Sequence, residues 1–191
     1  MSSLTLSPAS TALILIDLQN GIAGMPLAPY SFDTILANTN RLTQALRDKG
    51  ATLVFVRVAI GEVLPRVTDA PVRDPHAPPP PPEASELVAG LHREPADLLL
   101  TKRQWGAFYG TELDQQLRRR GIRTILMGGV ATNFGVESTA RTAFDLGYEL
   151  VFVEDAMTTV SAEAQQFATQ VVFPRMGRVR STEAVLAALQ A

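Results

Sequence analysis

Six short apolar runs recur along the chain, each separated from the next by a longer amphipathic stretch, and that alternation predicts β-α-β units around a parallel sheet. The runs are Ala12–Ile16, Ala51–Val58, Leu98–Thr101, Thr124–Met127, Leu150–Val153 and Arg178–Arg180. Between them, Phe32–Lys49, Glu112–Arg120, Gly135–Leu146, Ala162–Val172 and Thr182–Leu189 carry apolar residues at helical spacing, with Gly50, Gly121 and Gly147 as stops and Ser161 and Ser181 as N-caps. The strands are apolar almost without interruption, which fits a sheet covered on both faces. Ligands of such open sheets bind beyond the carboxyl ends of the strands. That rule directs attention to Asp17, Arg57, Thr101–Lys102, Gly128–Gly135 and Asp155.

The 191 residues suffice for one domain whose core needs neither disulfide nor metal, and the lack of cysteine excludes thiol nucleophiles, zinc knuckles and iron–sulfur clusters. A net charge of -2 shows no basic surplus, so no nucleic-acid partner is expected. No stretch approaches the ~20 apolar residues of a membrane span. The opening MSSLTLSPAS has no basic region before Ala12–Ile16, so the chain is expected to be cytoplasmic, without a membrane partner. Pro71–Pro82 holds seven of the thirteen prolines, which rules out helix and central strand there. It reads as a stiff surface connection, with a docking site for a proline-binding partner as the alternative.

Three strand mouths carry reactive side chains. Asp17 follows five apolar residues in ALILIDLQNG, where partial desolvation would raise its pKa and suit it to general acid or base work. Capping a loop or pairing with an arginine is its other reading. Lys102 and Arg103 open KRQWGAFYGT as cations for a substrate anion or for orienting Asp17, with Trp105 and Phe108 as walls of an apolar pocket. A solvated lysine and packed aromatic rings are the alternatives. In GGVATNFGVESTAR, Gly128 and Gly129 permit unusual torsions, Thr132 and Asn133 read as caps, and a helix from near Gly135 aims its N-terminus at the strand mouth as an anion site. Glu137 and Arg141, four apart, read as a surface ion pair. The chain has no G-x-G-x-x-G, phosphate-loop or G-x-S-x-G motif, and its two histidines, His76 and His92, lie in or beside the proline-rich region. Neither a Ser-His-Asp triad, a metal nor a cofactor is expected.

Asp17 in LILIDLQNGI, Lys102 in TKRQWGAFYGTEL and the segment GVATNFGVESTARTAFDLGY, in this order and spacing, resemble the isochorismatase-like, or cysteine hydrolase, superfamily over nearly the full chain. The resemblance implies a three-layer α/β/α sandwich with a six-stranded, mainly parallel, Rossmann-like sheet, one domain over residues 1–191, and a homo-oligomer of two or four chains. The family's catalytic Asp and Lys fall on Asp17 and Lys102. Its cysteine position falls on Gly135, so no acyl-enzyme forms there. The resemblance further implies a cis peptide at Val130–Ala131 and N–H groups of Ala131 and Gly135 directed into the site. With Ala131, the residues expected to contact substrate at this end of the sheet are Gln19, Arg57, Arg103, Trp105, Phe108, Asn133 and Phe134.

True isochorismatases are similar in carrying glycine at that position, and they cleave a vinyl ether without a covalent intermediate. On that pattern Asp17 protonates the enolpyruvyl methylene carbon, water captures the oxocarbenium ion, and Lys102 holds Asp17 and helps neutralise a substrate carboxylate. The ATN before the glycine resembles the amidases instead. RQWGAFYGT with TN-x-GVESTAR resembles a branch of bacterial hydrolases for which the resemblance supplies no substrate. The expected function is therefore hydrolysis of a small carboxylated molecule without a cysteine nucleophile, isochorismate being the best named candidate. A catalytically silent binding or scaffold protein is the alternative, favoured if Phe134 or Trp105 fills the pocket.

Overall fold

The computed structural model describes residues 4–71, 74 and 76–190. Strands form where the apolar runs predict them: β1 (Thr11–Ile16), β2 (Thr52–Val58), β3 (Leu98–Lys102), β4 (Thr124–Val130), β5 (Glu149–Thr158) and β6 (Gly177–Arg180). All neighbours pair in parallel, in the order β3-β2-β1-β4-β5-β6. The sheet grows outward from β1 in one direction and from β4 in the other, so its switch point lies between these two strands.

The helices are α1 (Asn20–Ala23), α2 (Phe32–Asp48), α3 (Leu113–Arg118), α4 (Glu137–Asp145), α5 (Ala162–Phe167) and α6 (Thr182–Ala188). Side chains alternate across a strand, and here both sets are apolar. Leu13, Leu15 and Phe55 pack with Ile35, Leu42 and Leu46 of α2 and Val185 of α6, while Ile14, Ile16, Val56 and Leu100 pack with Leu113 and Leu117 of α3 and Ala140 and Ala143 of α4. The result is the expected three-layer α/β/α sandwich. Ser161 and Ser181 cap α5 and α6 by accepting from Ala164 N and Ala184 N, and Gly50, Gly121 and Gly147 take positive φ at their helix stops.

The chain differs from expectation on either side of the switch point. No cap starts at Thr132 or Asn133: a π-helical turn, Thr132–Val136, leads directly into α4, and the N-terminal position is Ala131 without a side-chain cap. The fourth amphipathic stretch, Ala162–Val172, also breaks. α5 ends at Phe167 and passes through a π turn, Ala168–Val172, into a 3-10 turn, Phe173–Arg175. β5 runs longer than its apolar core because it bulges: Phe152 pairs with Met127 and Met157 with Gly129, so five steps on β5 oppose two on β4. Buried Gln165 bridges the bulge, its Nε2 donating to Glu154 O and Met157 O.

Gly128 and Gly129 are what allow this crowding. A Cβ on Gly128 would lie 2.8 Å from Ala156 O in the bulge. Gly129 has φ 116° and its Cβ would overlap the backbone of Ile16 in β1. Of the proline-rich segment, residues 72, 73 and 75 lie outside the described residues. The rest forms neither helix nor strand until a 3-10 turn, Pro82–Ser85, which folds back on the sheet end: Ser85 Oγ accepts from Ile60 N.

Candidate active site

Asp17 leaves β1 in the left-handed region, at φ 53°, the one non-glycine residue with positive φ among the described residues. Such torsions are costly for a residue with a Cβ and gather where the fold needs a side chain aimed in one direction. The turn is pinned by Asp17 N donating to Val56 O at 2.8 Å and Gln19 N donating to Asp17 O at 2.9 Å. Lys102 ends β3, two residues beyond buried Leu100, and therefore points to the α3/α4 side of the sheet.

These two side chains meet. Lys102 Nζ donates to Asp17 Oδ2 at 2.8 Å and to Trp105 O at 2.6 Å, and the lysine side chain is only 1 % exposed. Asp17 Oδ1 is buried and has no hydrogen-bond partner. Burial pushes the Asp17 carboxyl up to about 6, outweighing the pull of the Lys102 ammonium towards the ionised form. A carboxyl near that value holds and releases a proton around neutrality, and its unpartnered oxygen is the atom left to do so.

Gly135 completes the arrangement from β4. A Cβ built there would stand 3.1 Å from Lys102 Nζ, 3.3 Å from Asp17 Oδ2 and 3.1 Å from Ile16 Cγ2. Any side chain at this position would press against the ion pair. The peptide before the π turn, Val130–Ala131, is cis, and Ala131 O accepts from Phe134 N and Val136 N. Thr132 Oγ1, also buried, has no partner.

The other expected contacts divide. Trp105 and Phe134 stack edge to face at 4.9 Å, joining the residue before Gly135 to the one whose carbonyl binds Lys102, with Trp105 half exposed. Asn133 Oδ1 accepts from Thr159 Oγ1 at 2.6 Å. Gln19 is not presented to a ligand: its amide extends β2, accepting from Val58 N at 2.7 Å and donating to Val58 O at 2.9 Å. Arg57 lies one residue out of phase with Val56, so it emerges on the opposite face of the sheet from Lys102, held by Thr101 and Glu86. Arg103 is exposed and paired with Glu62 at 2.5 Å. Phe108 is a core residue beside Tyr148, not a pocket wall. Glu137 and Arg141 form the surface pair that their spacing predicts, at 2.8 Å.

Two supporting residues escape a search for reactive groups. Thr139 Oγ1 accepts from Ala107 N and donates to Gly135 O at 2.7 Å, tying the loop after β3 to the glycine turn. Gln104 Nε2 donates to Gly106 O and Tyr109 O, bracing the same loop. The available signal was a hydroxyl four residues after Gly135, placed to reach back to the preceding turn.

An isochorismatase domain profile matches residues 11–184. An uncharacterised isochorismatase family protein of Bacillus subtilis is 42% identical over 97% of both chains. A ureidoacrylate amidohydrolase of Variovorax paradoxus is 31% identical over 87% of this chain and 75% of its own. Among solved structures, an isochorismatase family protein from Burkholderia thailandensis superposes with a TM-score of 0.91 at 43% identity, covering 100% of both chains.

Proposed function

The chain belongs to the isochorismatase family of hydrolases, and from that premise we propose that it cleaves a small carboxylated substrate without a cysteine nucleophile, by proton transfers at Asp17. One observation carries the reading. Gly135, at the position where the resemblance puts the family's cysteine, brings no side chain into the tight space against Lys102 Nζ and Asp17 Oδ2, so the pair meets undisturbed with the carboxyl poised near pH 6. An isochorismate-type vinyl ether is the best named candidate.

For that substrate, Asp17 gives its proton to the enolpyruvyl methylene carbon, and the resulting positive charge is shared between the ether carbon and oxygen. Water adds to that carbon and returns a proton to the Asp17 carboxylate. The hemiketal so formed breaks its bond to the ring oxygen, releasing pyruvate and the ring alcohol. Lys102 holds Asp17 in place, stabilises the carboxylate left after each proton transfer and meets substrate negative charge; Ala131 and Gly135 would add N–H donors. Such acid–base catalysis is typically worth about 10²–10⁴-fold. The same reading takes the protein as a cytoplasmic homo-oligomer.

Pyruvate release from isochorismate, coupled to lactate dehydrogenase and run beside a no-enzyme control, tests it. Turnover that vanishes in Asp17→Asn is expected. No turnover by the wild type removes isochorismate, and unchanged turnover in Asp17→Asn removes Asp17. The ureidoacrylate amidohydrolase relative favours a second reading, in which ionised Asp17 takes a proton from water attacking an amide. The silent-protein reading draws on Arg57 and Arg103, which leave Lys102 as the cation beside Asp17.

A further inference from the structure

The two helical layers present different surfaces to solvent. Among the described residues α2 and α6 expose no large apolar side chain, whereas the opposite layer leaves Phe144 48%, Phe167 59% and Val171 40% exposed. Phe167 and Val171 belong to a longer stripe on the continuous helical segment 162–175. Glu163, Phe167, Val171 and Arg175 follow one another at intervals of four residues, and all are exposed.

Between Phe167 and Val171 the irregular helix limits the sideways drift of that stripe. In an α-helix a residue four positions on overshoots a full turn by about 40°, so a four-residue stripe drifts around the axis. The π turn Ala168–Val172 takes more residues per turn and swings Val171 back towards the line of Phe167. The stripe has an acid at its N-terminal end, two apolar residues in the middle and a guanidinium at its C-terminal end. Ser161 Oγ donates to Glu163 Oε2, and Arg175 Nη1 donates to Val171 O, so each terminal charge is braced at its end. Beside it, Arg141 of α4 and Arg175 flank a shallow groove lined by Val171, Val172 and Met176.

The geometry points to a second copy of this chain, docked with its own 162–175 segment antiparallel across the stripe. A two-fold axis through the middle sets Glu163 against the partner subunit's Arg175, and Phe167 against the partner's Val171, twice over. The contact is isologous: one patch complements itself. A parallel docking would set like charges on like charges, which the acid–apolar–apolar–base order disfavours. The inference uses no catalytic residue, so it stands or falls separately from the proposed reaction and gives a face to the oligomer.

Sedimentation velocity of the full chain across the micromolar range tests it, with circular dichroism and thermal melting as controls on the fold. The wild type should sediment as a dimer or an even multiple, and Phe167→Glu should halve the assembly while keeping its spectrum. Glu163→Arg alone and Arg175→Glu alone should each weaken association about tenfold or more, through like-charge contacts. Mixing these two variants should restore it, because each then meets its complement. A wild type that stays monomeric at high micromolar concentration, an intact assembly in Phe167→Glu, or a mixture no tighter than either variant alone would overturn the proposal.

Discussion

A Cβ at residue 135 has three near neighbours, and two of them are the charged atoms of the site, so this single position decides what chemistry fits. A methyl group there is 3.1 Å from Lys102 Nζ, tighter than ordinary contact. Gly135→Ala should therefore fold, with the ammonium displaced by a few tenths of an ångström, and lose roughly tenfold to a hundredfold in kcat/KM, as small misplacements of reacting groups do. Steady-state kinetics beside a melting curve checks both halves. Asp17 and Lys102 were legible in the sequence because a charged residue closing an apolar strand must emerge at the sheet's end. Arg57 shows the limit of that reasoning: position along the strand places it at the same end, and only its phase against Val56 assigns it to the other face. Phe108 and Gln19 were obscured for a different reason. A loop aromatic can turn into the core, and a glutamine can stand in for backbone, without any mark in local sequence.

At the scale of elements, periodicity located the sheet and most of its helices, while the irregularities near the site stayed hidden. A π turn carries the same residue types as an α turn, so Thr132–Val136 read as a capped helix start. The bulge of β5 likewise depends on tertiary partners: Gln165 satisfies its carbonyls, and Gly128 makes room for Ala156. Gly129 is the tightest point. With φ 116° and Ile16 backbone where its Cβ would go, Gly129→Ala can be accommodated only by parting β1 from β4. Its expected cost exceeds about 4 kcal/mol, the range of mutations that combine backbone strain with core disruption. Soluble yield and urea titration should show a chain that fails to fold or unfolds at far lower denaturant; a midpoint within experimental error of wild type would show that the switch point is looser than this packing implies.

For the whole molecule, two apolar layers bury the sheet on both faces, and a charged pair sits at the edge of one of them. That placement ties stability to pH. The Asp17 carboxyl is raised to about 6 in the folded protein from an ordinary value of 3.8, so between these values the folded state holds a proton that the unfolded chain has released. Asp17 thus contributes stability that is fully present below the lower value and is lost as pH rises through the folded one. Measured by urea unfolding, the wild type should lose stability relative to Asp17→Asn as pH goes from about 4 to about 6, then level off. A constant difference across that window would place the carboxyl in an ordinary, hydrated setting.

The pH dependence of kcat/KM for pyruvate release tests the central claim most directly, in the wild type and in Lys102→Met. If Asp17 is the acid, the rate is highest where it is protonated and falls about tenfold per pH unit above an inflection near 6. Removing Lys102 takes away the charge that favours the ionised form, so any residual activity in Lys102→Met should show its inflection at higher pH. A rate that rises through pH 6 would make ionised Asp17 the active form and contradict its role as the acid. A profile flat from pH 5 to pH 8, with the variant's unchanged in position, would contradict proton transfer at Asp17 altogether.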